Sequence, residues 1–179
     1  MRFYLNFLFL LSSFLLLSCN GFAQENEITT ETAESDLSRN SSVYFPKSIG
    51  IVNDYNNLFT NKQKAELDQM LYYYEIETTR QIVVVSVNSI APYDDIQQYA
   101  TDLGSYWGVG QKESNNGLMI VVCKPCRSFG IATGLGTQEV LTDEICKTVI
   151  DETIIPAFKN GNFYKGIKDG VVELIEKWD

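Results

Sequence analysis

Residues 81–87 (QIVVVSV) and 117–123 (GLMIVVC) are near-continuous apolar runs rich in Val and Ile, the pattern of strands buried on both faces of a sheet. Between them Ile96, Tyr99, Ala100, Leu103, Tyr106 and Trp107 recur at spacings of three and four, so the period changes to that of a helix with one buried face. Strand, helix, strand in this order predicts a βαβ unit whose right-handed crossover returns the second strand parallel to the first. The turns at the carboxyl ends of strands and helices are then the place to look for chemistry. The polar run 111–116 is expected to border that region.

The flanking sequence adds elements on either side. Residues 49–52 are a short apolar segment closed by Asn53-Asp54, read as a brief strand or extended lead-in. Thr60 and Gln63 have capping-box spacing, and Leu67, Met70, Leu71 and Tyr74 give the following helix its buried stripe to about Thr79. Of the three consecutive tyrosines 72–74, one or two must lie on the surface. Pro92 to Asp95 supply a turn and an N-cap for the crossover helix, and Gly108 and Gly110 end it. Cys123-Lys124-Pro125-Cys126 reads as a tight turn into an antiparallel strand over 127–133.

Gly134-Leu135-Gly136 predicts a loop with unusual backbone angles. Thr142 can cap a helix presenting Ile145, Val149, Ile150 and Ile154 to the sheet, which Pro156 stops or kinks. Phe163, Ile167, Val171, Leu174 and Trp178 line one face of a last helix. The fold class that follows is α/β, a three-layer α/β/α sandwich around a central mixed sheet.

The amino terminus carries a different message. Residues 1–18 hold one basic residue, Arg2, ahead of a short Leu- and Phe-rich run, the form of an export signal and too short to span a bilayer. Leu16-Leu17-Ser18-Cys19 resembles a bacterial lipobox, which implies cleavage before Cys19, acylation of its thiol and a lipid anchor in the cell envelope. A competing cut after Gly21-Phe22-Ala23 would release a soluble protein starting at Gln24. Residues 19–44 are acidic and nearly devoid of apolar side chains, a composition that favours a disordered tether. One domain is expected over 45–179.

Loss of residues 1–18 takes the formal charge from −9 to −10, since they carry one positive and no negative charge. With no basic stripe to displace phosphate counterions, nucleic acid is excluded as a partner. The chain contains no histidine, which eliminates Ser-His-Asp and Cys-His catalysis and His-ligated zinc. Oxygen donors remain in predicted loops and at a helix start: Asp54, Asn115, Asn116, Asp143 and Glu144. Hard cations such as calcium or magnesium take such donors, although capping and turn roles also account for each residue singly. Gly134-x-Gly136 before a helix could cradle an anion, but it lacks the third glycine of a nucleotide fingerprint.

Cys123 and Cys126 form a CxxC that could be redox-active, half of a metal site, or a structural disulfide. Its place in a turn between strands rather than at a helix start, and its exported setting, favour an oxidised clip. Cys146 reads as buried core.

These residues together resemble the TPM domain, a family widespread in bacterial exported and membrane proteins. The resemblance covers 45–178 and rests on Val52-Asn53-Asp54, the Gln81-Ile82-Val83-Val84 strand, Asp95-Ile96, and above all Trp107-Gly108-Val109-Gly110-Gln111-Lys112 followed by Asn116-Gly117-Leu118. Gly134-x-Gly136, Leu141-Thr142-Asp143, Phe158, Gly161 and Gly166-Ile167 complete the order. It implies a mixed sheet flanked by helices, divalent cation binding with calcium preferred and magnesium possible, and, in some members, acid phosphatase activity.

Asp54, Asn116 and Asp143 match as metal ligands. Many members carry an acidic residue where Asn115 stands and a Glu where Gln138 stands, so this chain brings two fewer carboxylates to a cation. The expectation is therefore a cation-binding module that docks on an envelope protein complex, with a metal-assisted phosphomonoesterase as the alternative.

Overall fold

The computed structural model describes residues 45–179. The expected export signal, Cys19 anchor and tether fall on residues 1–44, outside the described residues. In chain order the elements are β1 (Val52–Asp54), α1 (Asn61–Thr78), β2 (Gln81–Ser86), α2 (Ile96–Trp107), β3 (Gly117–Cys123), β4 (Ser128–Thr133), α3 (Leu135–Gln138), α4 (Asp143–Val149), a π-helical turn (Ile150–Ile154), α5 (Ile155–Lys159) and α6 (Phe163–Trp178).

The four strands lie side by side in sequence order. β1, β2 and β3 are parallel and β4 returns antiparallel to β3, so β2–α2–β3 is the βαβ unit that the apolar runs predict. Alternate side chains on each strand separate into two cores. Val52, Ile82, Val84, Leu118, Ile120, Val122 and Ile131 pack under α1, α4 and α6. Val83, Val85, Val87, Met119, Val121 and Ala132 pack under α2 and the Phe45 ring. Helices thus cover both faces, as the buried character of β2 and β3 requires.

Local chemistry sets the helix ends. The Thr60–Gln63 capping box starts α1, with both reciprocal hydrogen bonds formed. Asp95 caps α2 by accepting from the Gln97 and Gln98 N–H groups, and Gly108 closes it in the left-handed region. Tyr74 is buried while Tyr72 and Tyr73 are 52% and 54% exposed, the division that three adjacent tyrosines on a helix impose.

Pro156 does not stop the last part of the sandwich. Lacking an N–H, it cannot donate to the carbonyl four residues back, and the preceding turn widens so that Ile155 N–H bonds to Ile150 O. The helical path continues into α5. Residues 134–136 also differ from the expected loop, since Leu135 opens the short helix α3 and Gly134 has an ordinary extended φ of −66°.

Both edges of the sheet are blunted by side chains. On β1 the Val52 N–H donates to Asp68 Oδ1 at 2.9 Å, and Lys64 holds that carboxylate at 2.8 Å. On the other edge the Gly134 N–H bonds to Gly117 O, so Phe129, Ile131 and Thr133 turn their main-chain groups away from β3. Gln97 Nε2 takes Ile131 O at 2.6 Å. Among the described residues no helix is long and apolar enough to cross a membrane.

Candidate functional site

Strand direction decides where the candidate ligands fall. Asp54 ends β1 opposite Ser86, and Ser86 lies opposite Val122, which places it at the carboxyl end of the parallel strands. Asn116 directly precedes Gly117, which pairs with Gln81 at their amino end. Five residues of strand separate the two levels, roughly 16 Å. Asp143 opens α4, beside the amino end. Asp54, Asn116 and Asp143 therefore do not gather at one rim, and the three do not form a cation site. The parallel register that makes β1 a neighbour of β2 carries Asp54 to the far end.

Asp54 has a structural occupation there. Its carboxylate accepts the Leu58 N–H at 2.8 Å, the Phe59 N–H at 2.9 Å and the hydroxyl of fully buried Ser86. It ties the turn before α1 to the ends of β1 and β2.

Asn116 is likewise used within the fold. Its oxygen accepts the Gln111 N–H and its amide donates to Thr79 O, each at 2.8 Å. Gln81 completes the tie by accepting the Gly110 N–H at 2.8 Å, while its own N–H donates to Asn116 O. The amino ends of β2 and β3 and the loop after α2 are thereby bound to one another.

Against this loop lies a cavity of about 760 Å³. One wall is the α2 stripe Gln97, Thr101, Gly104 and Ser105, at the spacing of one helix face, continued by the closing Gly108. The other walls come from Gln111, Lys112 and Asn115, from the end of β4, and from Leu135, Gln138 and Asp143. Polar run 111–116 thus does line a pocket, at the carboxyl end of α2 as expected of a helix end, but at the amino rather than the carboxyl end of the parallel strands.

The cavity floor depends on close backbone packing. The Gly136 N–H donates to Asn115 O at 3.2 Å, and Thr137 Oγ1 donates to Gly117 O at 2.8 Å. A Cβ at Gly134 would stand 2.1 Å from Asn115 O, and one at Gly136 would stand 2.0 Å from Ser114 O. The two glycines serve close approach of α3 to the loop rather than unusual angles.

Asp143 and Lys112 bring one negative and one positive charge, surrounded by the amides of Gln97, Gln111, Asn115 and Gln138 and the hydroxyls of Thr101, Ser105 and Thr133. Asp143 is exposed, and Leu135 at the mouth is 69% exposed. Among the described residues no three His, Cys, Asp or Glu side chains cluster as a metal would need. The donor set offers a single carboxylate with neutral amide oxygens, a poor match to a hard divalent ion.

Sequence reasoning missed Gln97, Thr101 and Ser105 as wall residues. Their signal was present as a polar stripe on α2 opposite no expected partner. Cys146 is buried and free, and burial, with the Asp143 charge adding to it, pushes its thiol up to about 11. Cys123 and Cys126 are joined in a disulfide with Cα atoms 5.1 Å apart.

Comparison with known proteins agrees with this architecture. The solution structure of an N-terminal domain of a protein from P. gingivalis is 28% identical, with a TM-score of 0.65 over 71% of this chain and 80% of that one. The BA42 protein from the psychrophilic bacterium Bizionia argentinensis is 22% identical, TM-score 0.58, over 70% and 88%. The N-terminal domain of the cg2496 protein from Corynebacterium glutamicum is 14% identical, TM-score 0.57, over 75% and 84%; these last two speak for the fold alone. No match is found among curated proteins. The TPM domain family pattern matches residues 52–177, and the chain belongs to the TPM domain family.

Proposed function

We propose that this chain is an exported docking module, anchored in the cell envelope through Cys19, that receives a partner protein at the cavity between α2, the 111–116 loop and α3. The observation that carries this reading is the composition of the cavity wall. Four amides and three hydroxyls stand among glycines and the apolar Val109, Met119, Ala132 and Leu135, Asp143 and Lys112 offset each other, and Leu135 stands exposed at the mouth. Such a wall offers paired donors and acceptors and an apolar anchor, the makings of a protein contact.

The phosphatase alternative has less support. Phosphomonoester hydrolysis needs an activated nucleophile or a firmly held metal to order water, and the cavity supplies one exposed carboxylate with no base beside it. Divalent cation binding in this reading is modest and centres on Asp143 with the amide oxygens of Asn115 and Gln138.

A photocrosslinker placed at Leu135 of the full-length lipoprotein, in its native envelope, is expected to give a discrete protein adduct, while one at exposed Tyr73 gives none. Absence of an adduct at Leu135, or metal-dependent phosphate release from a chromogenic ester that Asp143→Asn abolishes, would overturn the proposal. Calcium titration followed by NMR is expected to move the Asn115, Gln138 and Asp143 signals and leave Asp54 and Asn116 still.

A further inference from the structure

The Cys123–Cys126 bridge does little for the fold. It joins two ends of the β3–β4 turn, which hydrogen bonds already close: Cys123 lies opposite Ser128 in the antiparallel ladder, Arg127 N–H donates to Lys124 O at 3.1 Å, and Ser128 Oγ donates to Cys126 O at 3.2 Å. The stabilisation a disulfide gives by constraining the unfolded chain grows with the loop it closes, and the sequence separation here is three.

The two cysteines differ sharply in access. Cys123 is fully buried, whereas Cys126 is exposed between exposed Lys124 and Arg127. We propose that this disulfide is a thiol–disulfide exchange site, attacked at Cys126 by a dithiol of an exported protein.

The chemistry balances with that dithiol as the reductant. A partner thiolate attacks Cys126 Sγ in line with the S–S bond, forming a mixed disulfide and expelling Cys123 Sγ with the bonding electron pair. The Cys126 backbone N–H, which donates to Cys123 Sγ at 3.3 Å, stabilises the departing thiolate before it takes up a proton. The partner's second thiol then attacks its own sulfur in the mixed disulfide and releases Cys126, which is protonated in turn. Two electrons and two protons pass to this chain, and the partner leaves as a disulfide. Lys124 and Arg127 draw the anionic nucleophile to the exposed sulfur.

Buried Cys146 is an internal reporter of unfolding in the test. The full chain is incubated with reduced glutathione as a probe thiol, and alkylation of each cysteine is followed by mass spectrometry. Reduction of Cys123–Cys126 at a rate at least about tenfold above Cys146 alkylation is expected, and oxidised glutathione should reverse it. Incubated instead with oxidised glutathione, Cys123→Ser should accumulate a glutathione adduct at Cys126 with release of one reduced glutathione, while Cys126→Ser leaves buried Cys123 unmodified.

Charge reversal by Lys124→Glu with Arg127→Glu should slow exchange with glutathione about tenfold and leave exchange with neutral 2-mercaptoethanol within about twofold. Reduction that keeps pace with Cys146 alkylation would make the bridge a structural clip and overturn the proposal, as would an adduct at Cys123 in place of Cys126. Equal slowing with both thiols would overturn the part given to Lys124 and Arg127.

Discussion

Replacing Asp54 by Ala separates its structural occupation from the ligand role that the motif suggested. The substitution removes the acceptor for the Leu58 and Phe59 amides and for the Ser86 hydroxyl. A hydrogen bond to a charged acceptor contributes about 1.5–3 kcal/mol. Asp54 is only half-buried, so water can reach the two amides after truncation, and the low end applies to each. The Ser86 hydroxyl is fully buried, and leaving it unsatisfied costs about 1–2 kcal/mol.

The total is about 4 kcal/mol, and for a domain of this size it lowers Tm by about 10–15 °C. Urea unfolding of residues 45–179, followed by far-UV circular dichroism in chelator, measures it directly. Ser86→Ala should cost about 1 kcal/mol, and the double variant less than the two losses combined, because both act on one network. A loss below about 1 kcal/mol for Asp54→Ala in chelator, or one that appears only when calcium is present, refutes the reasoning and returns Asp54 to the list of metal ligands.

Gly136→Ala pushes a Cβ against Ser114 O, so the loop or α3 must move; a loss of about 2 kcal/mol is expected, with amide shifts confined to 110–117 and 134–138 in NMR spectra. Burial holds Tyr99 and Tyr93 up to about 12, with the Asp102 carboxylate adding to the shift of Tyr93. Both states are protonated below about pH 10, and between about 10 and 12 only the unfolded chain loses these protons, so stability falls as pH rises through that window. Tyr99→Phe should make the fall shallower when urea midpoints are compared from pH 9 to 11.5.

The layer architecture was readable because β2 and β3 are apolar on both faces and α2 repeats at a helical period, signals that tertiary packing reinforces. The caps at Thr60, Asp95 and Thr142 were readable for the same reason, since each is a local hydrogen-bonding pattern. The site was only partly so. Asp143 and Asn115 meet at the cavity, but Asp54 is carried to the opposite end by a pairing between β1 and β2 that no local pattern encodes. Gly134 and Gly136 advertise backbone freedom in sequence while their use is a contact with Asn115 and Ser114, residues some twenty positions earlier. Pro156 signalled a stop or a kink, and the wide turn at Ile150–Ile154 absorbed it without ending the helical path.

The side chains at the two sheet margins bear on life at high local density. A lipid anchor would crowd many copies of the domain into one plane, the circumstance in which open strands template one another into fibres. With Asp68 seated on Val52 and Gln97 on Ile131, neighbouring copies meet a carboxylate and an amide instead of a vacant ladder. Removing both by Asp68→Ala and Gln97→Ala should leave the soluble domain folded yet promote thioflavin-positive assembly, which light scattering would follow.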